Sequence, residues 1–141
     1  MRRFAAVLAF WPLLASSDLS DIQKEPSLER RFELALDRAD SLLKECKSLA
    51  EQGNMKQLAP ALEDVAGACE LALQSLRDTG KRPSKQGKQY KRGELRTRDF
   101  LRRLENLENA LNFDDRPMAT KTRERVTVTH EEFLLGVMSK D

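Results

Sequence analysis

The chain has 141 residues, and its 25 Lys and Arg stand against 23 Asp and Glu, a formal charge of +2. Arg2 and Arg3 account for the whole excess, so the rest of the chain is neutral and its overall balance points to no charged partner. Pro and Gly are sparse while Leu, Ala, Glu, Lys and Arg dominate, a composition that suits helices.

The chain opens MRRFAAVLAFWPLLASSD. Arg2 and Arg3 form a short positive region, Phe4 to Ala15 is apolar except for Pro12, and Ala15-Ser16-Ser17 supplies small residues. That order predicts a secretory signal peptide over residues 1–17, with the mature chain starting close to Asp18. Twelve helical residues span about 18 Å, short of the roughly 30 Å hydrocarbon core, so no transmembrane segment is expected there. The predicted location is exported, periplasmic or extracellular. Residues 18–141 make one domain's worth of chain.

Glu25-Pro26-Ser27 opens the first periodic stretch. Leu28, Phe32, Ala35, Ala39, Leu42, Cys46 and Leu49 follow at alternating spacings of four and three, the pattern of an amphipathic helix. Gly53 sits where a left-handed cap ends it, and Asn54 starts the next. Leu58, Leu62, Val65, Cys69, Ala72 and Leu76 repeat the pattern until Gly80. A turn of about two residues between two such helices predicts an antiparallel hairpin.

KRPSKQGKQ, residues 81–89, reads as a polar linker too polar to pack. A third helix is predicted from near Tyr90 or Gly93, with Phe100, Leu104, Leu107 and Leu111 as its stripe and Thr97, Gly93 and Tyr90 as a weaker extension. NFDDRP, residues 112–117, reads as a helix stop and restart, with Asp114 or Asp115 as cap. Met118, Thr122, Val126, Thr129, Phe133 and Val137 fit a fourth helix. The β-branched run Val126 to Thr129 predicts a kink or interruption near 127–129, and Thr129 to Glu132 reads as a capping box. The expected fold is all-α: a four-helix, mostly antiparallel, bundle-like domain after the signal peptide.

The segment LLKECKSLAEQGNMKQLAPALEDVAGACELAL resembles a single tetratricopeptide-like helix pair through its Gly-Asn turn and Ala/Leu spacing. No second copy follows, so a solenoid of repeats is not expected. RGELRTRDFLRRLENL, the NFDDRP turn and HEEFLLGVM give the layout a resemblance to uncharacterised exported helical proteins of acidobacterial type. That resemblance implies a fold and a compartment, and no chemistry.

The sequence offers little to an active site. A single histidine, His130, and two distant cysteines leave a tetrahedral zinc site without ligands. His130-Glu131-Glu132 reads as the first turn of a helix, with acids near its positive end. No Gly-rich phosphate loop occurs, and adjacent acids such as Glu63-Asp64 diverge by about 100° on a helix. The reading is therefore a non-enzyme with no catalytic, cofactor-binding or metal residues and no cofactor. Cys46 and Cys69 fall about 12 Å out of register along the predicted hairpin, so both are expected as buried free thiols.

The strongest local feature is residues 81–103, which hold ten bases and two acids, a local charge of +8. Residues 18–80 carry −5 and residues 104–141 carry −3, which together cancel it. Lys91, Arg92, Arg96, Arg98, Arg102 and Arg103 are the candidate contact residues. Either they lie against acidic flanks such as Glu29, Glu33, Asp37, Asp40, Glu63 and Glu70, in a structural or protein-interaction module of the cell envelope, or they bind an anionic surface, whether membrane, polysaccharide or another polyanion. The first is favoured, with an envelope protein as partner. Nucleic acid is disfavoured, because outside residues 1–17 only Phe32, Phe100, Phe113, Phe133 and Tyr90 could stack. Peripheral membrane contact stays open.

Overall fold

Ser27 begins the main body of the fold: its hydroxyl accepts the Arg30 N–H and starts a helix that runs unbroken from Leu28 to Glu51. The structure is a computed structural model that describes residues 19–139, so the signal-peptide reading lies outside the described residues. The elements are α1 (Leu19–Gln23), α2 (Leu28–Glu51), α3 (Met55–Asp78), a 3₁₀ turn (Pro83–Gln86), α4 (Gly87–Ala110) and α5 (Arg116–Met138). The fold is all-α and bundle-like, with α2 to α5 as its four long helices. The short α1 was not expected. It buries Ile22, and Leu19 packs close to Gly67 on α3.

The caps follow the sequence closely between α2 and α3. Gly53 has φ +73°, and the Asn54 side chain accepts the Gln57 N–H. Gly80 has the same φ after α3. Only glycine takes that backbone without steric cost. Pro60 lies beyond the first turn of α3, on an exposed position of a helix that continues through it.

Three expectations are corrected. The third long helix starts at Gly87, not at Tyr90 or Gly93, because the 3₁₀ turn feeds directly into it. The linker does pack: Gln86 is buried, and its side-chain N–H groups donate to the carbonyls of Leu76 (3.2 Å) and Lys81 (3.3 Å). α5 is one continuous helix through 127–129, with neither break nor capping box. There Val126 and Thr129 are buried, and the Thr127 and Thr129 hydroxyls donate to the carbonyls of Arg123 and Arg125. Tertiary burial outweighs a β-branched penalty of only a few tenths of a kcal/mol per residue.

Each hairpin, α2/α3 and α4/α5, is antiparallel. Between hairpins α2 lies along α4 and α3 along α5, and those neighbours run parallel. The residues 79–86 therefore cross from α3 to the far corner of the bundle, which explains why this connection is longer than the other two. Phe32, Phe100, Phe133, Leu36, Leu62, Leu76 and Leu104 fill the core. Phe133 meets Phe32 and Tyr90 edge-on, with centroids 6.2 and 6.0 Å apart. Gly93 and Gly136 make room for those rings: a β-carbon on Gly93 would sit 2.5 Å from the Phe133 ring, and one on Gly136 would collide with Tyr90. Cys46 and Cys69 are both buried and free. Among the described residues no helix is long and apolar enough to cross a membrane.

Candidate functional site

The basic stretch is anchored by Phe100, which is fully buried on α4. The guanidinium groups of Arg96 and Arg103 lie over its ring at 5.6 and 5.9 Å from the centroid. That arrangement turns both cations toward α2. Arg96 donates to the Asp37 carboxylate (3.3 Å) and to the Leu36 carbonyl (3.4 Å). Arg103 donates to the Asp40 carboxylate (2.6 Å), to the Asp40 carbonyl (3.3 Å) and to Asp99 (3.4 Å). One turn before Arg96, Arg92 donates to Glu33 at 2.8 Å. Glu33, Asp37 and Asp40 are spaced four and three along α2, so they form one acidic edge, and the parallel run of α2 and α4 brings cations to it in register.

The Arg103 hydrogen bond holds the Asp40 carboxyl below its usual value, against the opposing effect of burial. Arg92 and Glu33 are both about half exposed, a setting in which an ion pair contributes roughly 0.2–1 kcal/mol. The row of contacts sets the alignment of α2 and α4 more than it sets stability.

The other three candidates turn away from α2. Arg102 pairs with Asp99 within α4. Arg98 and Lys91 converge on Glu94, the one buried acid among the described residues, 1% exposed. Arg98 grips it with two hydrogen bonds of 2.8 Å, and Lys91 stands 3.7 Å away. From α5, His130 Nε2 reaches the same carboxylate at 3.0 Å. An ionised carboxylate has no proton to give, so His130 donates there. Burial alone would push the Glu94 carboxyl up. The hydrogen bonds from His130 and Arg98, with the Arg98 charge, outweigh it and hold the carboxyl below its usual value.

His130 therefore lies within α5 rather than at a helix start, and it ties α5 to α4. The expected acidic flanks also divide. Glu63 and Glu70 face α5, where Arg125 bonds both, at 2.9 Å to Glu63 and 2.7 Å to Glu70. Glu29 has no ion pair among the described residues. Sequence reasoning missed the Glu94–His130 contact. One signal for it exists, since both residues fall one step beside their apolar stripes, next to Gly93 and Thr129.

The remaining four bases of the stretch, Lys81, Arg82, Lys85 and Lys88, are exposed and have no ion pair among the described residues. Among the described residues no group of three His, Cys, Asp or Glu side chains is placed to hold a metal ion. Comparisons with known proteins find no family model, curated sequence or solved structure that matches the chain.

Proposed function

We propose that this is a non-enzymatic exported helical protein that acts as a structural or protein-interaction module of the cell envelope. The observation that carries this reading is the internal closure of α4. All six candidate cations, Lys91, Arg92, Arg96, Arg98, Arg102 and Arg103, have acidic partners within the bundle. Groups that could do chemistry are committed in the same way: His130 is bound to Glu94, and burial pushes both thiols up to about 12, where no reactive thiolate forms near neutral pH.

A contact for a partner is available at the opposite end from the 79–86 connection. Phe113, between α4 and α5, is 81% exposed, the most of any large apolar side chain among the described residues. Aromatic anchors of this kind are over-represented at the centres of protein interfaces. The test is recovery of the tagged chain from envelope fractions of a cell that makes it, wild type beside Phe113→Ser, with N-terminal sequencing of the recovered protein. The expected result is a chain starting near Asp18 and envelope proteins that Phe113→Ser no longer retains. An intact Met1 on a cytosolic protein, or identical associates for both chains, overturns the reading.

A further inference from the structure

We propose that the end of the bundle built from the 79–86 connection and the last turn of α5 docks on an anionic lipid surface. The basic stretch is two surfaces, not one. From Lys91 onward its cations are matched by acids, whereas Lys81, Arg82, Lys85 and Lys88 are exposed and have no ion pair among the described residues. No acid occurs within residues 81–88. The backbone of the connection that carries the first three of these cations is also held in place. Buried Gln86 ties the connection to Leu76 and Lys81, the Thr79 hydroxyl accepts the Lys81 N–H (3.1 Å), and the Lys85 N–H bonds the Arg82 carbonyl (2.9 Å).

The last turns of α5 lie beside this connection, where Gly136 backs onto Tyr90 and α5 touches the 3₁₀ turn. They expose Leu135 (61%) and Met138 (65%). The nearby acids are largely spoken for. Asp78 takes Arg31 and Gln74, and Glu132 takes Arg77, while Glu131 and Glu29 stay exposed without an ion pair among the described residues. Unpaired cations beside exposed aliphatic side chains match a surface that is anionic outside and hydrocarbon within. A soluble polyanion would use the cations and gain nothing from Leu135 and Met138. The contact is peripheral, and it does not depend on the protein-partner reading.

The full chain is mixed with sedimentable vesicles of phosphatidylcholine alone or of phosphatidylcholine with phosphatidylglycerol. Binding to phosphatidylcholine alone reports the apolar residues 4–15, which every variant shares. Arg2 and Arg3 add an anionic preference that every variant also shares, so the loss of that preference from wild type to variant reports the proposed surface. We expect tighter binding to the anionic vesicles, weakening with salt. Joint replacement of Lys81, Arg82, Lys85 and Lys88 by Ala is expected to lower the affinity roughly fivefold for each charge removed. Leu135→Ser with Met138→Ser is expected to lower it about tenfold more at constant charge. Neither set touches a core residue or an ion pair, so melting temperatures should hold. Equal binding to both vesicle types overturns the proposal, as does an unchanged anionic preference in the four-site variant. An affinity that ignores Leu135 and Met138 while heparin competes assigns the surface to soluble polyanions instead, and also overturns it.

Discussion

Glu94 and His130 face each other across the α4–α5 interface, with the carboxylate oxygen 3.0 Å from Nε2 and almost wholly shielded from solvent. Asp40 and Glu108 share its electrostatic situation: each has its carboxyl lowered, by a hydrogen bond first from Arg103 and from Arg123 respectively. A carboxyl lowered in the folded state contributes stability that is fully present above its unfolded value. That stability is lost as pH falls through the lower folded value. The starting values are 4.5 for Glu and 3.8 for Asp, so loss begins below about that range. We expect urea-unfolding free energies that hold from neutral pH to about 5 and then fall in acid. Glu94→Gln should cost about 1–3 kcal/mol at pH 7 and flatten the acid limb. An acid limb identical to wild type would remove Glu94 from its cause.

Gly93 and Gly136 define the second prediction, because the rings of Phe133 and Tyr90 occupy the places their side chains would take. Gly93→Ala and Gly136→Ala should each destabilise by about 1–3 kcal/mol through overpacking. Gly87→Ala is the control. It meets nothing within 4 Å and sits in the first turn of α4, so it should be neutral or stabilising by up to about 1 kcal/mol. Thermal melts of the three variants decide the point. Three equal melting temperatures would show that the α4–α5 interface is looser than described.

Much of this fold is legible in residue spacing. The stripe from Phe32 to Leu49 and the one from Leu58 to Leu76 lie on the buried faces of α2 and α3, Leu28 at the start of the first being only partly buried, and Gly53, Asn54 and Gly80 mark the ends. What spacing does not carry is the pairing between hairpins. Nothing local to Glu33, Asp37 and Asp40 says that their partners lie some sixty residues on, or that Glu63 and Glu70 face α5. That depends on α2 lying parallel to α4, which the crossing of residues 79–86 imposes. The unbroken α5 was illegible for a related reason. Local preference at Val126 to Thr129 argues against helix, and the burial that overrides it comes from another hairpin.

Cys46 and Cys69 give a third outcome. Both thiols are buried, and burial pushes each up to about 12, with neighbouring acids adding in the same direction, Glu45 and Asp64 for Cys46 and Glu70 for Cys69. A maleimide should label neither at an appreciable rate in the native protein, and two per chain once it is denatured under non-reducing conditions. No labelling after denaturation, with a mass two protons lower, would reveal a bridge and disprove the register of the first hairpin.

The last prediction separates the two halves of the basic stretch. Arg92, Arg96 and Arg103 cross to Glu33, Asp37 and Asp40, and Arg103 is the least exposed partner in the row together with Arg96. Reversing all three to Glu replaces three attractions with three repulsions along one helix interface. Each exposed pair contributes only about 0.2–1 kcal/mol, so any single reversal should leave a folded protein. Together the three should cost about 2–4 kcal/mol, because attraction is lost and repulsion gained at each site. For a domain of this size that is a fall in melting temperature of roughly 3–6 °C per kcal/mol. High salt should narrow the gap by screening the new repulsions. The four-site change at Lys81, Arg82, Lys85 and Lys88 should do the opposite, leaving the melting temperature alone while weakening the preference for anionic vesicles. Measuring melting and vesicle binding on both variants at two salt concentrations gives a crossed result if the division is real. If instead the α4 reversal abolishes vesicle binding with no change in melting temperature, the arginines facing α2 are a ligand surface, and the internal pairing is incidental.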